Sequence, residues 1–201
     1  MREVVCKLKY KPIGEYFASL PRYVELLAGR LEKSLNPMEI RDETGLNAGN
    51  EFKTFAKSLI HVIRNSIDHG IETPEERVAN NKEESGTIYL SVIDANDSIE
   101  IVVSDDGRGI DVETIRQKAI ESGRKTFEEL KEASAVTELL FEDYFSTKED
   151  VSDLSGRGIG LGAVRSELLK LGGSYRVVSE KGNGCRFIFS IPKVSITKGV
   201  S

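Results

Sequence analysis

Apolar and polar residues alternate along parts of this chain and recur at helical spacing along others. Alternation over residues 2–9, 87–94, 98–104, 174–179 and 185–191 predicts strands. Ala95-Asn96-Asp97 joins two of them as a hairpin, and Lys181-Gly182-Asn183-Gly184 joins two more. Helical spacing covers 14–34, where Phe17, Leu20, Val24, Leu27 and Leu31 share a face. It also covers 50–69, 112–122, 126–141 and 159–171. Gly70, Gly123 and Gly172-Gly173 are stop signals, and Asp111 is an N-cap. Residues 142–157 are polar and punctuated by Gly and Ser, which reads as a loop. Segregated helices and hairpins predict an α+β fold, a two-layer sandwich with helices on one face of a mixed sheet. Beyond Pro192, residues 193–201 read as a frayed tail.

Composition narrows the class. At 201 residues, 39% apolar and 30% charged, the chain reads as one globular domain, or at most two small ones, rather than a disordered or membrane-spanning protein. Residues 1–10 lack the apolar run of a secretory signal, so a cytoplasmic location is expected. A net charge of −5 gives no general attraction for nucleic acid or anionic lipid. Cys6 and Cys185 make no metal-binding spacing, and two histidines leave little room for a multi-histidine site.

Three segments carry candidate chemistry. On the helix 50–69, His61, Arg64, Asn65 and Asp68 fall within an arc of roughly 100°, opposite Phe52, Leu59 and Ile63. A solvated helix face looks similar, but such faces favour Lys and Glu, whereas His, Asn and Asp weaken a helix. The stripe therefore points towards a metal or phosphate site. Next comes Asp105-Asp106-Gly107-Arg108-Gly109-Ile110, between a strand and a helix. Gly107 and Gly109 permit close approach to a flat ligand, and the Asp105 carboxylate can accept from an amino group on it. The same pattern also serves as a plain strand-to-helix turn. Last, Gly156-Arg157-Gly158-Ile159-Gly160-Leu161-Gly162 runs into a helix, whose N-terminal N–H groups suit phosphate. It lacks the Gly-Lys-Ser/Thr ending of a P-loop, and no strand directly precedes it as in a Rossmann unit.

In this order the motifs resemble the ATP-binding domain shared by histidine kinases, type II topoisomerases, heat-shock chaperone ATPases and mismatch-repair ATPases, the GHKL (Bergerat) fold. HVIRNSIDHG from His61 to Gly70 resembles its N box, and DDGRG from Asp105 to Gly109 its first glycine box. Phe145-Ser146-Thr147-Lys148 resembles the F box, GRGIGL from Gly156 to Leu161 the second glycine box, and Gly182-Asn183-Gly184 the last glycine turn. His61, where most sensor kinases carry Glu, together with RNSIDHGIETPEER, SLPRYVELL and VSDLSGRGIGL, narrows the resemblance to chemotaxis kinases of the CheA family. It extends over residues of roughly 10–192.

The resemblance implies that residues 1–192 form a catalytic domain that takes ATP and Mg²⁺ and transfers the γ-phosphoryl group to a histidine. It implies that Asn65 holds the magnesium, that Asp105 binds the adenine amino group, and that Gly107, Gly109 and Ile110 lie at the base pocket. His61 takes the place of a general base or orienting group. Arg64 and His69 flank phosphates or ribose, Asp68 organises the stripe, and Lys118 approaches phosphate. Thr147 and Lys148 belong to the lid, and Gly156, Arg157, Gly158, Ile159, Gly160 and Leu161 wrap the phosphates. His61 and His69 both lie in the N box, so the phosphoacceptor is expected on a histidine-phosphotransfer domain, in trans or in a longer chain. A response regulator would lie downstream in two-component chemotaxis signalling. Four positions depart from the chemotaxis-kinase pattern: Gly162 replaces Asp, Cys185 replaces Thr or Ser, Thr114 replaces Lys, and Lys148 departs towards the wider sensor-kinase F box. Those departures leave open a nucleotide-binding regulatory module, and the shared fold leaves open an anti-sigma-type serine kinase.

Overall fold

A computed structural model describes residues 10–142 and 160–196. The predicted strand at 2–9, the F box, and residues 156–159 of the second glycine box lie outside them. In chain order the elements begin with β1 (Lys11–Pro12), a 3-10 turn (Ile13–Phe17), α1 (Leu20–Arg30), β2 (Glu39–Asp42) and β3 (Asn47–Ala48). Then come α2 (Asn50–Ser58), α3 (Ile60–Asn65), a π turn (Ser66–Gly70), α4 (Pro74–Ala79), β4 (Ile88–Ala95) and β5 (Ser98–Asp105). The rest is α5 (Val112–Glu121), α6 (Ala133–Glu138), a 3-10 turn (Leu139–Phe141), α7 (Gly160–Lys170), β6 (Ser174–Glu180), β7 (Gly184–Pro192) and α8 (Lys193–Ile196).

Five strands form one sheet in the order β2-β4-β5-β7-β6. Only β2 runs parallel to its neighbour; the other pairings are antiparallel. The sheet is therefore mixed, as predicted. Its register explains both core and site. Side chains on one face share rows across the strands. Val92, Ile101, Phe189 and Tyr175 make one row, and Leu90, Val103, Phe187 and Val177 the next. The row after that is Ile88, Asp105, Cys185 and Ser179. Asp105 thus occupies a core-facing position at the rim of an apolar face, and that accounts for its burial. Helical Phe52, Phe55, Val62, Ile63, Val164 and Leu168 close over these rows.

Several boundaries differ from the sequence expectation. The helix predicted over 14–34 begins at Leu20, where Pro21 fits the first turn, and the residues before it form a 3-10 turn. The helix over 50–69 pauses at Leu59 and opens into a π turn, in which Ile71 N–H donates to the Ser66 carbonyl at 2.7 Å. Only 133–141 of the segment 126–141 is helical. Strand β2 and helix α4 were not anticipated: β2 is short, and α4 is a single capped turn with the Thr73/Glu76 capping box. The expected fraying beyond Pro192 does not hold for Lys193–Ile196, and residues 197–201 lie outside the described residues. Residues Lys193–Ile196 form a helical turn that buries Ile196, whose carbonyl accepts from Gly49 N–H at 3.0 Å.

Candidate nucleotide-binding site

A cavity of about 280 Å³ opens where the Asp105 row meets the helices. Asp105, Cys185 and Phe187 form its sheet floor. Asn65, Ser66, His69 and Gly70 form one wall, and Ile110, Thr114, Ile115 and Lys118 face them from the loop before α5 and from α5 itself. Leu140 and Leu161 supply more apolar lining. A mostly apolar slot with some polar side chains on its lining suits a flat heterocycle carrying a charged tail.

The floor is organised around Asp105, which is 6% exposed. Ser66 Oγ donates to its Oδ2 at 2.7 Å, and Gly107 N–H donates to its Oδ1 at 3.1 Å. Burial raises its carboxyl above the ordinary carboxylate value, an effect opposed by Ser66 and by the N–H groups of Gly107 and Cys185. The π turn explains how Ser66 arrives there. Its wider turn re-phases the end of the helix, so that Ser66 meets Asp105 while Asn65 and His69 stay on the cavity wall. Cys185, beside Asp105 in the sheet, has its thiol pushed up to about 12 by burial and then by the Asp105 charge. It is thus a neutral packing surface rather than a nucleophile.

Gly107 and Gly109 serve the fold in ways the motif alone did not reveal. A Cβ on Gly107 would lie 2.3 Å from the Gly70 carbonyl oxygen, so Gly107 makes its close approach to backbone and does not line the cavity. Gly109 has φ +71, and its Cβ would lie 2.3 Å from the Glu180 carbonyl oxygen. It lines the cavity while packing against the β6–β7 hairpin. Behind this loop, Arg77 is 1% exposed. Its guanidinium donates to both carboxylate oxygens of Asp106, at 3.1 and 3.0 Å, to Glu72 Oε2 and to the Glu83 carbonyl. Lys82 Nζ closes the network onto Glu72 Oε1 at 2.7 Å and the Gly107 carbonyl at 2.7 Å.

Of the site residues predicted from sequence, Asn65, His69, Asp105, Gly109, Ile110, Lys118 and Leu161 line the cavity. His61, Arg64, Asp68, Gly107 and Gly160 do not. His61 and Arg64 lie one turn or less before Asn65, outside the closed part, and Asp68 Oδ2 is 3.8 Å from His69 Nε2. Gly160 starts α7, with open space where a Cβ would be. Thr147, Lys148, Gly156, Arg157, Gly158 and Ile159 lie outside the described residues. Burial, then the Arg64 charge, lowers the His61 imidazole pKa, which favours its neutral form. Ser66, Ile115, Leu140 and Phe187 were not singled out from sequence. Ser66 had a signal in its place beside Asn65, whereas the others look like ordinary core.

Residues 55–195 match the family described as Histidine kinase-, DNA gyrase B-, and HSP90-like ATPase. The chain belongs to that family. Within it, the chain is 37% identical over 201 residues to the chemotaxis protein CheA of Halobacterium salinarum, covering 98% of this chain and 30% of that protein. It is 37% identical over 194 residues to CheA of Bacillus subtilis, covering 96% and 29%. The chain therefore spans under a third of the length of these relatives, while the similarity to them extends over nearly all of this chain. The catalytic domain of the histidine kinase ThkA superposes with a TM-score of 0.57 at 19% identity, over 92% of this chain and 94% of that one, which shows the shared ATPase fold.

Magnesium and ATP fit what is present. Asn65 offers a hard amide oxygen at the cavity wall, and no group of three or more His, Cys, Asp or Glu side chains suited to a metal occurs among the described residues. An ion there would draw its other ligands from phosphate and water, as magnesium commonly does.

Proposed function

We propose that residues 1–192 are the ATP-binding catalytic domain of a CheA-like protein-histidine kinase. The observation that carries this reading is the buried Asp105 carboxylate at the floor of a slot whose wall ends in Asn65. A carboxylate held by Ser66 and Gly107 accepts the exocyclic amino group of adenine and rejects a 6-oxo purine, which presents an acceptor instead. Ile110, Ile115, Leu161 and Phe187 enclose the base. Asn65 supplies the amide oxygen for magnesium, and Lys118 lies across the cavity to meet phosphate. Arg64 and His69 flank the phosphates or ribose, and Asp68 orients His69. When bound, magnesium neutralises charge on the phosphate oxygens.

The acceptor is a histidine on a histidine-phosphotransfer domain, in trans or in the same longer chain, with a response regulator downstream. Its imidazole nitrogen attacks the γ-phosphorus. The P–N bond forms, the bond to the β–γ bridging oxygen breaks, and that electron pair leaves on ADP. His61, favoured as neutral by its surroundings, accepts the proton lost by the acceptor ring. Among the described residues no helix is long and apolar enough to cross a membrane, which is compatible with a cytoplasmic location.

The test is transfer from γ-labelled ATP to a supplied histidine-phosphotransfer domain. Acid-labile, base-stable label on the acceptor is the expected outcome. Nucleotide binding with no label points to a regulatory module, and acid-stable label on serine points to an anti-sigma-type kinase.

A further inference from the structure

Exposed cations on this chain commonly have a partner: Arg22 pairs with Glu25, Arg41 with Glu39, Arg108 with Glu76, Lys181 with Asp111 and Lys193 with Asp94. Others have no ion pair among the described residues, and three of these share one edge. Lys53 and Lys57 of α2 and Arg64 of α3 fall within an arc of roughly 40°, because Leu59 keeps right-handed helical geometry between the two helices. Lys53 and Lys57 are exposed, and Arg64 is half-buried. No ion pair joins any of the three to a described residue. Nearby carboxylates are turned away or engaged. Glu51 lies roughly 160° round the helix from Lys53. Glu25 of α1 is taken by Arg22, and Asp68 sits beside His69. Tyr23 of α1, half-buried, lies in the field of both Arg64 and Arg30, and Arg30 has no ion pair among the described residues either. In a chain of net charge −5, this is a concentrated, unneutralised basic edge. It runs for about 16 Å along the helices and ends at His61 and Asn65, where the phosphate end of the cavity lies under the reading above.

We propose that this edge docks an acidic face of the histidine-bearing acceptor domain. The inference rests on the kinase reading and adds the acceptor's recognition surface to it. An acceptor histidine must come within bonding distance of the γ-phosphorus, so its domain must lie against the surface beside that end of the cavity. Lys53 and Lys57 follow one another at one-turn spacing, which suits carboxylates spaced by turns along a helix of the acceptor. A free basic edge on an acidic protein steers and registers such a partner more than it tightens it. A partner of like composition, acidic overall, is drawn to a basic edge such as this one.

The test alters Lys53 and Lys57, which lie outside the catalytic and nucleotide-binding groups. The K53E/K57E chain is compared with the unaltered chain in transfer from magnesium–ATP to the same isolated histidine-phosphotransfer domain. The expected result is an acceptor KM raised about tenfold, with kcat and nucleotide affinity changed less than about twofold. The difference shrinks at about 0.3 M salt, as for exposed charges. Lysines placed on the acceptor's acidic face restore transfer to the altered chain. An unchanged acceptor KM in K53E/K57E, with normal transfer by the unaltered chain, overturns the docking surface and leaves the kinase reading standing. Nucleotide binding without transfer by the unaltered chain overturns the kinase reading and the docking surface with it. Retention of the unaltered chain on anionic vesicles or duplex DNA, lost in K53E/K57E while the acceptor KM stays the same, assigns the edge to another partner and also overturns the proposal.

Discussion

The two walls of the cavity are built by different physics. The wall of Asn65, Ser66 and Gly70, with the Asp105 floor, is tied by polar bonds between residues far apart in sequence. Ser66 to Asp105 spans 39 residues, and Arg77 to Asp106 spans 29. The facing wall, α5 with α6, rests on a satellite apolar cluster of Ile115, Ala119, Leu130, Val136 and Leu139. That cluster is separate from the main core, and Ile110 and Leu140 pack against both. Its fixed tethers lie at the loop before α5. Ile110 N–H donates to Ser179 Oγ at 2.8 Å, and Lys181 Nζ donates to Asp111 Oδ2 at 2.8 Å. A directional polar network holds one geometry, whereas a small cluster of local contacts opens at lower cost. The wall and floor that would bind the base's amino group are the polar-bonded ones, and the wall bearing Ile110, Ile115 and Lys118 rests on the smaller cluster.

Asn65→Ala puts the functional side of the contrast to its hardest test. It removes the proposed magnesium ligand without touching either wall's framework, and transfer should fall by about 10³-fold or more, read from labelled ATP. Arg77→Ala should break the polar-bonded wall. It removes the buried guanidinium from Glu72, which keeps Lys82, and from the half-exposed Asp106, at a cost of about 3 kcal/mol in a denaturant titration. Leu130→Ala, in the satellite cluster, should cost about 2–3 kcal/mol locally. Hydrogen exchange would then accelerate over 112–138 while β5 stays protected. Equal acceleration in both would remove the distinction between the walls. Asp105→Asn keeps the shape but turns one acceptor oxygen into a donor, and nucleotide affinity measured by calorimetry should drop about 100-fold. The smallest effect is expected at the tether. Asp111 is held at about 2, first by the hydrogen bond from Lys181 and then by that from Thr114 N–H. A depressed carboxylate stabilises the fold above its ordinary value of 3.8 and loses that contribution as pH falls towards about 2. Because the pair is exposed, the loss is small, and in Lys181→Met it should shrink to what the Thr114 N–H supplies.

Much of this was legible in the residues themselves. Alternation marked the hairpins 88–105 and 174–192 almost to the residue, most clearly in β4, where one face is buried along Ile88, Leu90 and Val92, although β5 and β7 are buried on both faces over Ile101–Asp105 and Phe187–Phe189. Asp111 showed itself as a cap, and its side chain accepts from Thr114 N–H at 3.0 Å. Asn65 and Asp105 stood out as residues of the wrong type for the places they occupy, a weak helix former on a helix and a carboxylate ending a strand. Other features left no local trace. Strand β2 is too short for its alternation to register, and Arg77 looks like a surface residue of a charged turn until Glu72 and Asp106 surround it. Gly107 looked like ligand-facing glycine, yet it is required by the Gly70 backbone.

The sequence by itself determined the longer helices and the two hairpins, the place of Asp105 at a strand end, and the residue types able to meet a purine and a hydrated cation, because periodicity and side-chain chemistry are local properties. The tertiary structure alone decided that Ser66 reaches Asp105, that Cys185 is a buried neutral thiol, and that two separate apolar clusters meet at the cavity. Those outcomes depend on strand register and on one widened helical turn, which bring together residues that no spacing along the chain connects.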